Sequence, residues 1–183
     1  AVPPTHVTAK PAPPAQTLGG GAAPTDSAAL PAGERLTWGQ EPLIAQGATR
    51  TEVVLNGLWQ FVPNAGDKPS EPTGGWGWMR VPGSWRHGGW PGVHTGLVAT
   101  GSAPAWKDFA QGEAVNAGWY QRPLRIPAAW AGKRVVLDFE RVSTDATVFL
   151  DGKPVGSVTW PTGRVELTAA VKPGVEQTLR ILV

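Results

Sequence analysis

Residues 134–158 read RVVLDFERVSTDATVFLDGKPVGSV. From Arg134 to Arg141 the residues alternate, with Val135, Leu137 and Phe139 on one face and Arg134, Asp138 and Glu140 on the other. A period of two is what a strand with one face on a core requires, because successive side chains point to opposite sides of the pleat. Thr147–Leu150 is a second apolar, β-prone run. It meets Asp151-Gly152, two residues that tolerate left-handed backbone and so close a tight hairpin, and Val155–Trp160 returns alongside.

The alternation continues in both directions. Upstream, Tyr120, Leu124 and Ile126 alternate against Gln121 and Arg125, and Pro127 closes the run. Val53–Val62 (VVLNGLWQFV) is apolar and ends at Pro63 and the polar turn Asn64-Ala65-Gly66-Asp67. Downstream, Val165 and Leu167 alternate, Lys172-Pro173-Gly174 turns the chain, and Leu179, Ile181 and Val183 alternate last. Short strands between turns, without an amphipathic helix pattern or an internal repeat, predict an all-β, antiparallel β-sandwich over residues 34–183.

Residues 1–33 differ. Ala, Pro and Gly fill 20 of the 33 positions, too few large apolar groups to offset the entropy of ordering, so an extended tail or linker is expected there. A start at Ala1 fits a processed terminus and hence a periplasmic or extracellular protein. The end at Val183, inside a strand pattern, points to a module cut from a longer polypeptide.

Composition narrows the functional classes. Sixteen Lys and Arg against fourteen Asp and Glu leave a charge of +2, so nucleic acid and anionic membrane surfaces lose their electrostatic warrant. Without cysteine there is no disulfide, thiol chemistry or zinc ribbon. No apolar run approaches the ~18 residues of a membrane span. Ten of the chain's residues are Trp, against one Tyr and four Phe.

Six of those Trp stand with eleven Gly in residues 74–119, a long aromatic excursion from a sandwich, and loops of that kind are commonly functional. Sugars present C–H patches that stack on flat rings, and Trp offers the widest face plus an N–H donor. Trp90, Trp106 and Trp160 sit among Gly and Pro in expected loops where a ring can be presented, whereas Trp59 and Trp119 lie in strands and belong to a core. Arg122 has the parity of Tyr120 and Leu124, so it points inward and needs a partner such as Asp138, Glu140 or Asp145. Asp138 and Glu140 lie on one strand face, which is not the cleft geometry of a carboxylate pair. His87 and His94 lack a third metal ligand, and Ser84, His87 and Asp108 lack the strained turn that would hold a nucleophile.

A set of motifs carries a family resemblance: Leu55-Asn56-Gly57-Leu58-Trp59-Gln60-Phe61, Val81-Pro82-Gly83-Ser84-Trp85, Trp119-Tyr120-Gln121-Arg122, Gly132-Lys133-Arg134-Val135, and Val148-Phe149-Leu150-Asp151-Gly152. Their order over residues 53–183 resembles the N-terminal sugar-binding domain of family-2 glycoside hydrolases, the β-galactosidase, β-glucuronidase and β-mannosidase group. After the hairpin that family shows Gly-Gly-aromatic-x-Pro-Phe, where Trp160-Pro161-Thr162-Gly163-Arg164-Val165 stands here. The resemblance implies a jelly-roll, galactose-binding-like sandwich, carbohydrate as ligand, and downstream immunoglobulin-like and TIM-barrel domains of the same polypeptide. The barrel would hold the catalytic glutamates of a retaining β-glycosidase, leaving this chain without a catalytic residue of its own. It would brace the barrel and lend loop residues to the sugar site: Trp85, Arg86, His87, Trp90, Trp106 and Trp160, gathered at one rim. No cofactor or catalytic metal is implied, and a structural Ca²⁺ stays open. An autonomous carbohydrate-binding module with a Trp platform is the alternative, and an interaction domain with every Trp in packing is the third reading.

Overall fold

The computed structural model describes residues 28–30, 32–33, 50–64, 68–83, 96–110 and 115–183, without the side chains of Asp108 and Ala110. In chain order its elements are β1 (Gly57–Pro63), β2 (Gly77–Val81), β3 (Leu97–Ala99), α1 (Ala105–Ala110), β4 (Gly118–Arg125), a 3-10 turn (Ala128–Trp130), β5 (Val136–Phe139), β6 (Asp145–Leu150), β7 (Lys153–Thr159), β8 (Gly163–Glu166) and β9 (Glu176–Leu182). Seven strands form one sheet in the order β3-β2-β1-β4-β9-β6-β7, and β5 pairs with β8 in a second. Every pairing is antiparallel. The all-β, antiparallel sandwich read from the alternating segments is the fold, with layers of unequal width. The short α1 corrects the helix-free expectation; Ala105, Trp106 and Phe109 are its buried residues, and Trp106 and Phe109 share a face at the i, i+3 helical spacing.

The inner face of the large sheet is the main core. Trp59, Phe61, Met79, Tyr120, Leu124, Val148, Leu179 and Ile181 are buried there in one cluster with Val135, Val165 and Leu167 from the region of the small sheet. Phe61, with no exposed surface, is the hub. Its ring lies 4.8 Å from Tyr120, 5.7 Å from Trp106 and 6.0 Å from Phe109 between centroids. The layers meet closely where side chains are missing: a Cβ on Gly156 would stand 2.7 Å from Cγ1 of Val165.

Arg122 points into this core, as its parity predicts, and is 2% exposed. Its guanidinium lies 5.1 Å over the Trp59 ring, and Nη1 donates to the Leu55 carbonyl at 2.7 Å. Asp138, expected as one of its partners, is held instead by Arg164 Nε at 2.8 Å across the β5–β8 pair.

The outer face departs from simple alternation. Gln121 was expected on a polar side facing water, yet it is buried, as are Gln60, Leu58, Val62, Trp76, Trp78 and Trp119. The reason is that β1, β2 and β4 are covered on both faces. Ala28 N–H donates to the Trp76 carbonyl at 2.8 Å, and Trp78 Nε1 donates to the Ala28 carbonyl at 2.9 Å, so part of the stretch read as a tail is pinned here. Burial forces the amides to satisfy one another: Gln121 Nε2 donates to Gln60 Oε1 at 2.8 Å, Arg180 Nε donates to Gln121 Oε1 at 2.6 Å, and Arg180 Nη1 pairs with Glu71.

The Asp151-Gly152 hairpin is stapled to the start of β9. Asp151 holds φ 49°, a left-handed value that Asp and Asn tolerate through their short polar side chains. Its carboxylate accepts from Gln177 Nε2 and from Thr178 N–H, both at 2.9 Å. The Gln177 bond first, then that from Thr178, holds this carboxyl below the usual carboxylate range. A depressed carboxylate adds stability above its unfolded pKa, and that contribution is lost as pH falls through the folded value. Asp151→Asn keeps the backbone preference and removes the charge. The wild type is expected to melt above D151N at pH 7, with the gap closing below about pH 4. Equal gaps at pH 7 and pH 2.5 would contradict the assignment.

Candidate functional site

Strand direction decides which candidate residues can meet. Val81 is level with Gly57 at one end of the large sheet. Across β1, β4, β9 and β6 the register carries Val62 to Trp119, Leu182 and Thr147, so Asp145 and Thr159 lie at the other end. Trp160 follows Thr159, at the far edge strand.

The segment 84–95, with Trp85, Arg86, His87 and Trp90, lies outside the described residues. The points where it leaves and returns are described, and they form a neck. Arg80 N–H donates to the Gly96 carbonyl at 2.6 Å. A Cβ on Gly83 would stand 2.8 Å from the Cα of Gly96, a backbone-to-backbone approach that only glycine permits. Trp160 is five strand spacings from this neck, roughly 24 Å across the sheet, and about 20 Å away along the strands. Trp160 and the neck of 84–95 therefore occupy opposite ends of the sandwich, while the expected rim residues Trp85, Arg86, His87 and Trp90 lie outside the described residues.

Trp106 is also corrected. Rather than standing on an open loop, it is 4% exposed on α1, with Phe109 at 5.3 Å and Phe61 at 5.7 Å between ring centroids. Its Nε1 donates to the Gly75 carbonyl at 2.9 Å. A ring walled in by two phenyl groups supports the framework and has no face for a sugar. The i, i+3 pair Trp106/Phe109 was the available signal.

Trp160 is presented, with 62% of its surface exposed. The corner that carries it is fixed by backbone hydrogen bonds: Trp160 N–H donates to Thr144 O at 2.5 Å, and Val142 N–H donates to Pro161 O at 2.9 Å. A large ring on a pinned corner loses little entropy on meeting a ligand.

Asp138 is exposed and ion-paired to Arg164, and Glu140 is exposed beyond the end of β5, so the two face no cleft. Among the described residues no group of three or more His, Asp or Glu could hold a metal ion, and no helix is long and apolar enough to cross a membrane.

No protein-family model matches the chain in sequence, and no curated protein does either. Solved structures do match in fold. A β-glucuronidase of Faecalibacterium prausnitzii superposes over 75% of this chain at 24% identity with a TM-score of 0.56, using 22% of its own length. A β-glucuronidase of an uncultured Clostridium sp. matches 70% of the chain at 22% identity and a TM-score of 0.53, over 21% of its length. A Bifidobacterium dentium β-glucuronidase, complexed with coumarin-3-O-glucuronide, matches 70% at 21% identity and 0.52, over 19% of its length. The chain thus spans about a fifth of the length of these enzymes and shares the fold of that part of them, within the group whose N-terminal domain the sequence resembles.

Proposed function

We propose that this chain is a non-catalytic sandwich module of a family-2 β-glycosidase, serving O-glycosyl hydrolysis by a larger polypeptide. The observation that carries the reading is the superposition of 70–75% of the chain on about a fifth of several β-glucuronidases. The module braces a downstream immunoglobulin-like domain and TIM barrel, and its loops meet the sugar. From one end the segment bearing Trp85, Arg86, His87 and Trp90 leaves at the Gly83–Gly96 neck; at the other stands Trp160. The reaction itself is a double displacement by two carboxylates about 5–5.5 Å apart in the barrel, the first acting as acid and then as base.

The test is hydrolysis of p-nitrophenyl β-glucuronide, β-galactoside and β-mannoside. The 183-residue chain alone is expected to turn over none of them. The product of the complete reading frame is expected to hydrolyse at least one with retention at the anomeric carbon. A folded reading-frame product that is inactive on all three, or activity in the 183-residue chain, overturns the reading.

A further inference from the structure

We propose that residues 28–30 are a latch that covers the outer face of β2 and keeps two copies of this chain apart. Ala28 is gripped through its backbone alone: its N–H donates to the Trp76 carbonyl at 2.8 Å, and its carbonyl accepts from Trp78 Nε1 at 2.9 Å. The β2–β3 pairing takes in Trp78 and Met79 and stops short of Trp76, so Ala28 meets β2 where β3 has ended. Trp76 and Trp78 are 2% and 0% exposed, and Leu30, two residues beyond Ala28, is half-buried. The Arg180 guanidinium lies 5.7 Å from the Trp76 ring centroid. The adjacent carbonyl, that of Gly75, accepts from Ala103 N–H at 3.3 Å and from Trp106 Nε1 at 2.9 Å, so α1 is anchored here without help from the latch.

A contact made of two hydrogen bonds to one small residue opens locally long before the sheet beneath it unfolds. Opening bares an aromatic pair beside a strand edge, the combination that draws apolar surfaces and unpaired strands together. The occupant that fits is a second copy. Two copies related by a twofold axis present the same patch to each other, and the edge of one β2 runs antiparallel to the edge of its partner. A charge of +2 on the chain puts little repulsion in the way. Two indoles supply about 300–500 Å² per copy, well short of the roughly 800 Å² on each side of a standard stable interface. Association of the opened form is therefore weak and concentration-dependent. The closed latch wins in dilute solution, because its own chain keeps it at a high effective concentration.

Ala28→Pro in the full chain removes the N–H that the Trp76 carbonyl accepts and leaves every core side chain in place. Ala28→Gly keeps that N–H and is the control. In A28P the Trp78 indole proton should exchange about tenfold faster than in wild type, with Trp59 and Trp106 unchanged as the sign that the framework is folded. In sedimentation equilibrium from about 10 µM to 1 mM, A28P should move from monomer towards dimer at the upper end, while wild type and A28G stay monomeric. Adding Trp160→Ala to A28P removes the exposed ring beyond β7 and should leave the association intact. Trp78 exchange unchanged in A28P, A28P monomeric at every concentration, wild type associating as strongly as A28P, or association that W160A abolishes overturns the proposal.

Discussion

Phe61→Ala is expected to lower the unfolding free energy by about 3–5 kcal/mol. The side chain has no exposed surface and joins its own strand β1 to Tyr120 on β4 and to Trp106 and Phe109 on α1. Gly118 leaves room for it; a Cβ there would lie 2.7 Å from Cζ of the Phe61 ring. Rigid rings do not collapse into the void, so the cavity term adds to the lost transfer energy. Urea unfolding of the full chain measures it, and a Tm fall of roughly 10 °C should accompany it. A loss below about 1 kcal/mol would show that α1 does not pack on β1 as described.

Arg122 carries the second large effect. Truncation to Ala leaves the Leu55 carbonyl without this donor and strips the cation from the Trp59 face, at a cost of about 3 kcal/mol. Lys offers a compact charge in place of a planar fork, so Arg122→Lys should recover less than half of that. Arg122→Met, an apolar isostere of the stem, should fall between wild type and R122A, because an apolar group does not leave a charge unbalanced. Full stability in R122A would remove the guanidinium from its role as anchor of the 55–59 segment. These costs belong to the framework, and none of the three variants should alter the Trp160 corner directly.

Much of the fold was legible because burial on one face writes a period of two. Val135, Leu137 and Phe139, the Asp151-Gly152 turn and the inward parity of Arg122 all read through to the structure. Gln121 did not, because its partner face is set by residues distant in sequence: Gln60, Arg180 and Glu71 close on it only once β1, β4 and β9 are side by side. The partner of Arg122 was missed for a related reason. A backbone carbonyl is an acceptor that no side-chain inventory shows.

The candidate site was legible by residue type and illegible by place. Glycine and proline around a Trp signal a loop, but Trp106 is drawn inward by Phe109 one helical turn away, while Trp160 follows β7, the last strand of the described sheet. Which end of the sheet a loop leaves from depends on strand direction, fixed by the sheet order, and local sequence does not encode that order.

The central claim is that, among the described residues, Trp59, Trp76, Trp78, Trp106 and Trp119 form a buried framework while Trp160 is held out to solvent. Hydrogen exchange at the indole N–H groups tests it in one spectrum. Trp59, Trp78 and Trp106 donate to the carbonyls of Leu55, Ala28 and Gly75, so their indole protons should be protected, with Trp106 the slowest. The Trp160 indole should exchange at the rate of a free one. Trp106 exchanging as fast as Trp160, or Trp160 protected with the buried set, would contradict the account.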